Sequence, residues 1–176
     1  HVMPAIGALV AHIQETQDSF TAYAPNENKA IVHKGPQRVQ LNFGRPVPFS
    51  LRDFSSLMRG RFHEVFGAAE GLNPRALPNG DIAFTLSGGI LPGMLELRPD
   101  GLPVRWSAEK GWVMDITYDD GNPPLPYKFK LTHPDGYSAI LLVKDRQKPN
   151  AAFRDDQLAL ELPAGTIIEP IKKGGN

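Results

Sequence analysis

Five histidines, His1, His12, His33, His63 and His133, are the side chains in this 176-residue chain best suited to hold a metal or move a proton near neutral pH. No two stand at the i, i+4 spacing that puts a pair of imidazoles on one helix face, and no cysteine is present to supply a thiolate ligand or nucleophile. His12 and His33 fall on candidate neighbouring strands and could approach each other, although partly exposed strand histidines are the simpler reading. Asp119 and Asp120 are adjacent carboxylates, but they open an Asp-Asp-Gly-Asn-Pro-Pro segment in which aspartate serves the turn itself. Asp115 and Glu96 are the carboxylates a small hydrolase could use. No Gly-x-Ser-x-Gly elbow frames a serine, and Gly88-Gly89 lacks the spacing of a phosphate-cradling loop and reads as a hairpin turn. The expectation is a chain that is not an enzyme and carries no metal or cofactor.

What the sequence does concentrate is large apolar side chains at alternate positions: Phe84, Trp106, Trp112, Met114, Tyr118, Tyr127 and Phe129. Successive side chains of a strand point to opposite faces, so these residues belong on single faces of several strands. Such a stripe builds either an ordinary filled core or the wall of an apolar ligand cavity.

The elements that must hold the stripe are short strands. Trp112, Met114, Ile116 and Tyr118 alternate with Val113, Asp115, Thr117 and Asp119, and after the turn Tyr127, Phe129 and Leu131 alternate with Lys128, Lys130 and Thr132. Ile82-Phe84-Leu86, Leu95-Leu97, Leu102-Val104-Trp106 and Leu158-Leu160-Leu162 follow the same rule, with turns such as Pro99-Asp100-Gly101 between them. Ala8 to Ile13, Ser19 to Ala24 and Lys29 to His33 read as three upstream strands. From Tyr137 to Val143 both faces are apolar, which calls for a cover on the second face. The candidate cover is a helix starting near Ser50, with Leu51, Phe54, Leu57 and Met58 at helical spacing and an end near Gly60. Ser50 and Asp53 resemble a capping box. A shorter helical turn is expected between Pro36 and Phe43. The predicted fold class is mostly β with one or two short helices (α+β): an antiparallel meander forming an incomplete barrel, its concave face plugged by helix. Residues 1–171 are expected to form one domain, with 172–176 a flexible tail.

Composition narrows the partners. Lys plus Arg and Asp plus Glu each number 19, and no basic block stands out, so a nucleic-acid partner is not expected. At 41% hydrophobic content the chain can fill a core. No apolar run approaches the roughly 18 residues of a spanning helix, and no signal-peptide pattern opens the chain, so it reads as soluble. Seventeen Gly and seventeen Pro punctuate short apolar runs without forming a linker.

The order Pro48-Phe49-Ser50-Leu51-Arg52-Asp53-Phe54, Leu57-Met58-Arg59-Gly60, Gly111-Trp112-Val113-Met114-Asp115-Ile116-Thr117-Tyr118, Leu125-Pro126 and Lys128-Phe129-Lys130-Leu131 resembles the LolB family of bacterial outer-membrane lipoproteins. Phe153 to Gly165, closing on Leu162-Pro163-Ala164-Gly165, is similar to the ending shared by related lipoprotein-sorting and periplasmic lipid-binding domains. The resemblance covers most of the chain from about Pro4. It implies a half barrel whose cavity shelters acyl chains received from a periplasmic lipoprotein carrier for insertion into the outer membrane. The lining would be Phe54 and Met58 from the helix, with Ile82, Phe84, Leu86, Leu95, Leu97, Trp106, Trp112, Met114, Ile116, Tyr118, Tyr127, Phe129 and Leu131 from the strands.

The family's membrane-engaging loop corresponds to Pro4-Ala5-Ile6-Gly7, with Ile6 as the tip residue or as an ordinary edge-strand side chain. The family's lipidated cysteine, first helix and about three strands have no counterpart before this point. This implies a truncated chain, a proteolysed fragment or a divergent member, with an exposed edge near Ala8 to Ile13 at which a second copy could pair. The resemblance also implies a location at the periplasmic face of the outer membrane, with a lipid anchor in the full-length protein. The alternative is a structural or protein-binding envelope module of the same fold with a filled core. A lipidation signal ending in cysteine is expected upstream in the gene, and reading that sequence checks it.

Overall fold

The computed structural model describes residues 12–16, 18–35, 39–40, 46–67, 73–87, 91–109, 111–146 and 159–171. In chain order the elements are strands β1 (His12–Glu15), β2 (Ser19–Ala24) and β3 (Lys29–Lys34), then helices α1 (Leu51–Met58) and α2 (His63–Phe66). Strands β4 (Arg75–Ala76), β5 (Ile82–Leu86), β6 (Gly93–Leu97), β7 (Pro103–Ser107), β8 (Val113–Tyr118), β9 (Pro126–Thr132), β10 (Ser138–Leu142) and β11 (Ile167–Pro170) follow. The chain divides into two compact units, His1–Val39 with Gln147–Asn176, and Gln40–Arg146. The protein is mostly β, and neither of its two sheets closes into a barrel.

The first unit holds a four-stranded sheet in the order β1-β2-β3-β11. The first three strands are antiparallel, whereas β11 runs parallel to β3 and pairs Ile167 with Lys29 and Ile168 with Ala30. Asn28 makes the join. It adopts the left-handed conformation (φ 46°), its Nδ2 donates to Gly165 O at 3.2 Å, and its Oδ1 accepts from Tyr23 Oη and Thr166 Oγ1, each at 3.1 Å. Lys29 and Glu169 add an exposed ion pair at 2.9 Å.

Two expectations change in this unit. Residues 159–163, predicted as part of a strand through Leu162, form no strand. Leu160 N instead donates to the side-chain Oε1 of Gln14 at 3.2 Å. The C-terminal strand begins later, at the β-branched pair Ile167-Ile168, because there the backbone reaches β3: Ile167 N donates to Asn28 O and Ile171 N to Val32 O, each at 3.0 Å. His12 and His33 do not approach each other either, since β2 lies between their strands and the register sends their side chains to opposite faces. Of the Ala8 to Ile13 strand, the part before His12 lies outside the described residues. So do Ile6, Gly88-Gly89, the tail 172–176 and most of the turn expected between Pro36 and Phe43.

The second unit is a meander in the order β10-β9-β8-β7-β6-β5-β4, antiparallel at every pairing. Helix α1 starts where Ser50 and Asp53 require it. Asp53 N donates to Ser50 Oγ at 3.2 Å and Ser50 N donates to Asp53 Oδ2 at 2.8 Å, so a reciprocal capping box forms with aspartate in the usual Glu or Gln place. Phe49, just before the cap, meets Phe54 in the first turn with ring centroids 5.1 Å apart, the arrangement of a hydrophobic staple. Gly60 ends the helix in the left-handed region (φ 72°), where Arg61 N donates to Ser56 O and Gly60 N to Leu57 O in a Schellman pattern. A second helix, α2, not expected from the sequence, buries Val65 and Phe66.

At Gly93 the strands come closer than any side chain allows. An added Cβ there would lie 2.2 Å from Ser107 O, and the backbone sits at φ 146°. Gly93→Ala is expected to destabilise the fold by about 2–3 kcal/mol, and Ser50→Ala by about 1 kcal/mol through loss of the cap. Urea unfolding followed by tryptophan fluorescence checks both.

Candidate apolar site on the seven-stranded sheet

Register turns the alternating apolar positions of separate strands into continuous rows. One row crosses the sheet as Phe84, Leu95, Trp106, Met114, Leu131 and Ala139, and a second as Ile116, Phe129 and Leu141. Ile82 and Leu97 pair with each other on the same inner face. The stripe predicted from the sequence is thus a single surface, and α1 lies over its centre.

Rings make that contact. Phe54 meets Phe129 edge-on at 6.3 Å, and Phe49 meets Trp106 edge-on at 5.2 Å. Phe49, Phe54, Leu57, Trp106, Met114, Phe129 and Leu131 are all fully buried. Leu86, Leu95, Trp112 and Ile116 are also buried, whereas Met58, Ile82, Phe84, Leu97 and Tyr118 are half-buried. The apolar face therefore grades from a packed centre under α1 to a partly open end at Ile82, Leu97 and Tyr118. Phe62, which the sequence reading passed over, stands at that end with its ring 6.3 Å from that of Tyr118.

Tyr127 does not share this environment. Thr117 pairs with Lys128 and Tyr118 with Pro126, so Tyr127 is the extra residue of an irregularity and stays exposed. Phe49 carries as much of the buried centre as any residue named from the sequence. Its signal was the apolar residue immediately before a capping box. Val47 and Leu91 are buried too, but no periodicity in the sequence marks them.

The polar groups around this face have structural work. Trp112 Nε1 donates to Pro46 O at 2.9 Å. Tyr118 Oη donates to Pro103 O, and burial pushes its phenol well above the ordinary range, so it remains a donor at any physiological pH. Arg98 lies 5.3 Å from the centre of the Tyr118 ring. Trp106 is different: its Nε1 is buried with no hydrogen-bond partner among the described residues, an arrangement that costs about 1–3 kcal/mol.

The carboxylates weighed as catalytic lie elsewhere. Asp115 and Glu96 are on the outer face, each paired in register with Arg105, and Asp115 contacts that guanidinium at 3.6 Å. Asp119 Oδ1 accepts from Leu125 N at 2.8 Å and Gly121 N at 3.1 Å, and so ties the loop between β8 and β9. Among the described residues no group of three or more His, Asp or Glu is placed to hold a metal ion, and no helix is long and apolar enough to cross a membrane. Comparison with protein-family models and with curated proteins finds no match to this chain.

The hydrogen bond from Leu125 N, then that from Gly121 N and the charge of Arg146, hold the Asp119 carboxyl below its ordinary value of 3.8. A lowered folded-state pKa means the unfolded chain takes up the proton first as pH falls. This contribution is therefore complete above about pH 4 and is lost as pH drops through the folded value. Asp119→Asn is expected to lower stability near neutrality and to flatten the acid limb. Urea midpoints compared at about pH 6 and about pH 3 test this.

Proposed function

We propose that this chain binds the acyl chains of lipoproteins, or lipid, at the inner face of its seven-stranded sheet and passes them on without covalent chemistry. The observation that carries the reading is the continuous apolar row running out from under α1 to the half-buried Ile82, Phe84, Leu97 and Tyr118. An alkyl chain laid along that end would continue the packed centre instead of creating a new surface. Burial of one methylene contributes about 0.8 kcal/mol, so a chain of about sixteen carbons gains on the order of 12 kcal/mol before ordering costs.

Release then needs an acceptor of similar polarity, and a bilayer supplies one, so direction follows from relative affinities without nucleotide hydrolysis. Together with the LolB-like sequence pattern, this favours transfer from a periplasmic lipoprotein carrier to the outer membrane. The protein would work at the periplasmic face of that membrane, lipid-anchored in its full-length form. Self-association through β1, the end strand of the four-stranded sheet, belongs to the same proposal.

A second reading has its own support. The rings of Phe49, Phe54, Trp106 and Phe129 already contact one another and are fully buried, as in a filled core that serves a structural or protein-binding module. Titration with a fluorescent fatty-acyl probe separates the two. Saturable binding is expected, weakened about tenfold or more by Ile82→Lys or Leu97→Lys, both at half-buried positions that tolerate a long side chain. Absence of saturable binding in a sample shown to be folded by circular dichroism would leave the filled-core module.

A further inference from the structure

Strand β10 ends the seven-stranded sheet, and two of its outward side chains, Ile140 and Leu142, are apolar where a solvated edge would carry charge. Ile140 and Leu142 are 57% and 55% exposed: α1, the cover expected for the second face of this strand, lies on the inner side of the sheet and leaves the outer one open. Register sets Lys130 directly beside Ile140 and Lys128 beside Leu142. Neither lysine forms an ion pair among the described residues. The nearest carboxylate in the row, Asp115, is already engaged with Arg105. Lys144, exposed, follows two residues beyond Leu142.

The composition of this edge decides between possible occupants. Two aliphatic side chains offer far less area than the roughly 1,200 Å² or more that a stable protein interface buries, so a second copy is poorly served. A bilayer surface needs much less. Aliphatic side chains enter the boundary of the acyl region and lysines meet lipid phosphates, each adding to the other. Lys128 and Lys130, which form no ion pair among the described residues, specify the sign of the lipid.

We propose that the outer face of the β9–β10 edge is an adhesion surface for an anionic bilayer. It lies on the opposite side of the sheet from the acyl-binding face, so it goes beyond that reading and stands or falls separately.

Co-sedimentation with vesicles tests it, using phosphatidylcholine alone and mixtures in which about a third of the lipid is phosphatidylglycerol. The protein is expected to sediment with the anionic vesicles, to release as salt is raised, and to leave the neutral vesicles largely unbound. The double variants Ile140→Ser/Leu142→Ser and Lys128→Glu/Lys130→Glu are each expected to weaken anionic binding about tenfold or more. Both should retain wild-type circular dichroism and acyl-probe binding, because the substituted side chains face outward.

Three results would overturn the proposal: equal sedimentation with both vesicle types or with neither, variants that bind like the parent chain, or a concentration-dependent dimer in light scattering that the same substitutions dissolve. Loss of acyl-probe binding with vesicle adhesion intact would instead count against the acyl-transfer reading alone.

Discussion

Helix α1 has only eight residues, too few to be stable in isolation, and what keeps it formed is the ring contact it makes with the sheet. Phe54 reaches Phe129 on β9, while Phe49, drawn in by the capping box, reaches Trp106 on β7. Those two contacts cross β8 and fix the helix over the middle of the meander. Everything else about the inner face follows from where the helix stops. Residues beneath it are buried to completion, and those beyond it keep apolar surface available.

The sheet was the legible part of the sequence, for a simple reason. Alternation survives translation into structure because a strand has only two faces, and antiparallel neighbours joined by short turns pair in chain order. Hence Ile82 to Leu131 could be assigned to one surface before any register was known. The helix start was equally readable, since Ser50 and Asp53 satisfy each other's backbone regardless of context. What could not be read were choices made by tertiary contact. Leu158 to Leu162 alternates as well as any strand, yet Ile167 to Pro170 has the partner. The single-turn α2 has too little length for periodicity to show, and Tyr127 loses its place in the stripe to one irregular residue between β8 and β9.

The two faces of the large sheet are chemically unlike. Rows on the inner face are uniformly apolar, whereas the central outer row reads Glu96, Arg105, Asp115, Lys130 and Ile140 in register. Charges alternate along that row until the last strand, where the pattern ends on an aliphatic residue. Opposite charges on adjacent strands help specify pairing, and a slip of one residue would bury them among the rings. The polar row therefore protects the apolar one, and only its final member breaks the alternation.

The parallel pairing of β11 with β3 joins Lys29 to Ile167 across most of the chain, while the Gln40–Arg146 unit is one uninterrupted stretch. On a ribosome delivering the chain from its N-terminus, that middle stretch can collapse while the end of the message is still being read. The β2–β3 hairpin can also pair early, but its β11 partner is supplied only after that middle stretch. Docking of β11 onto β3 is thus a closing event, governed by long-range loop closure and not by local preference.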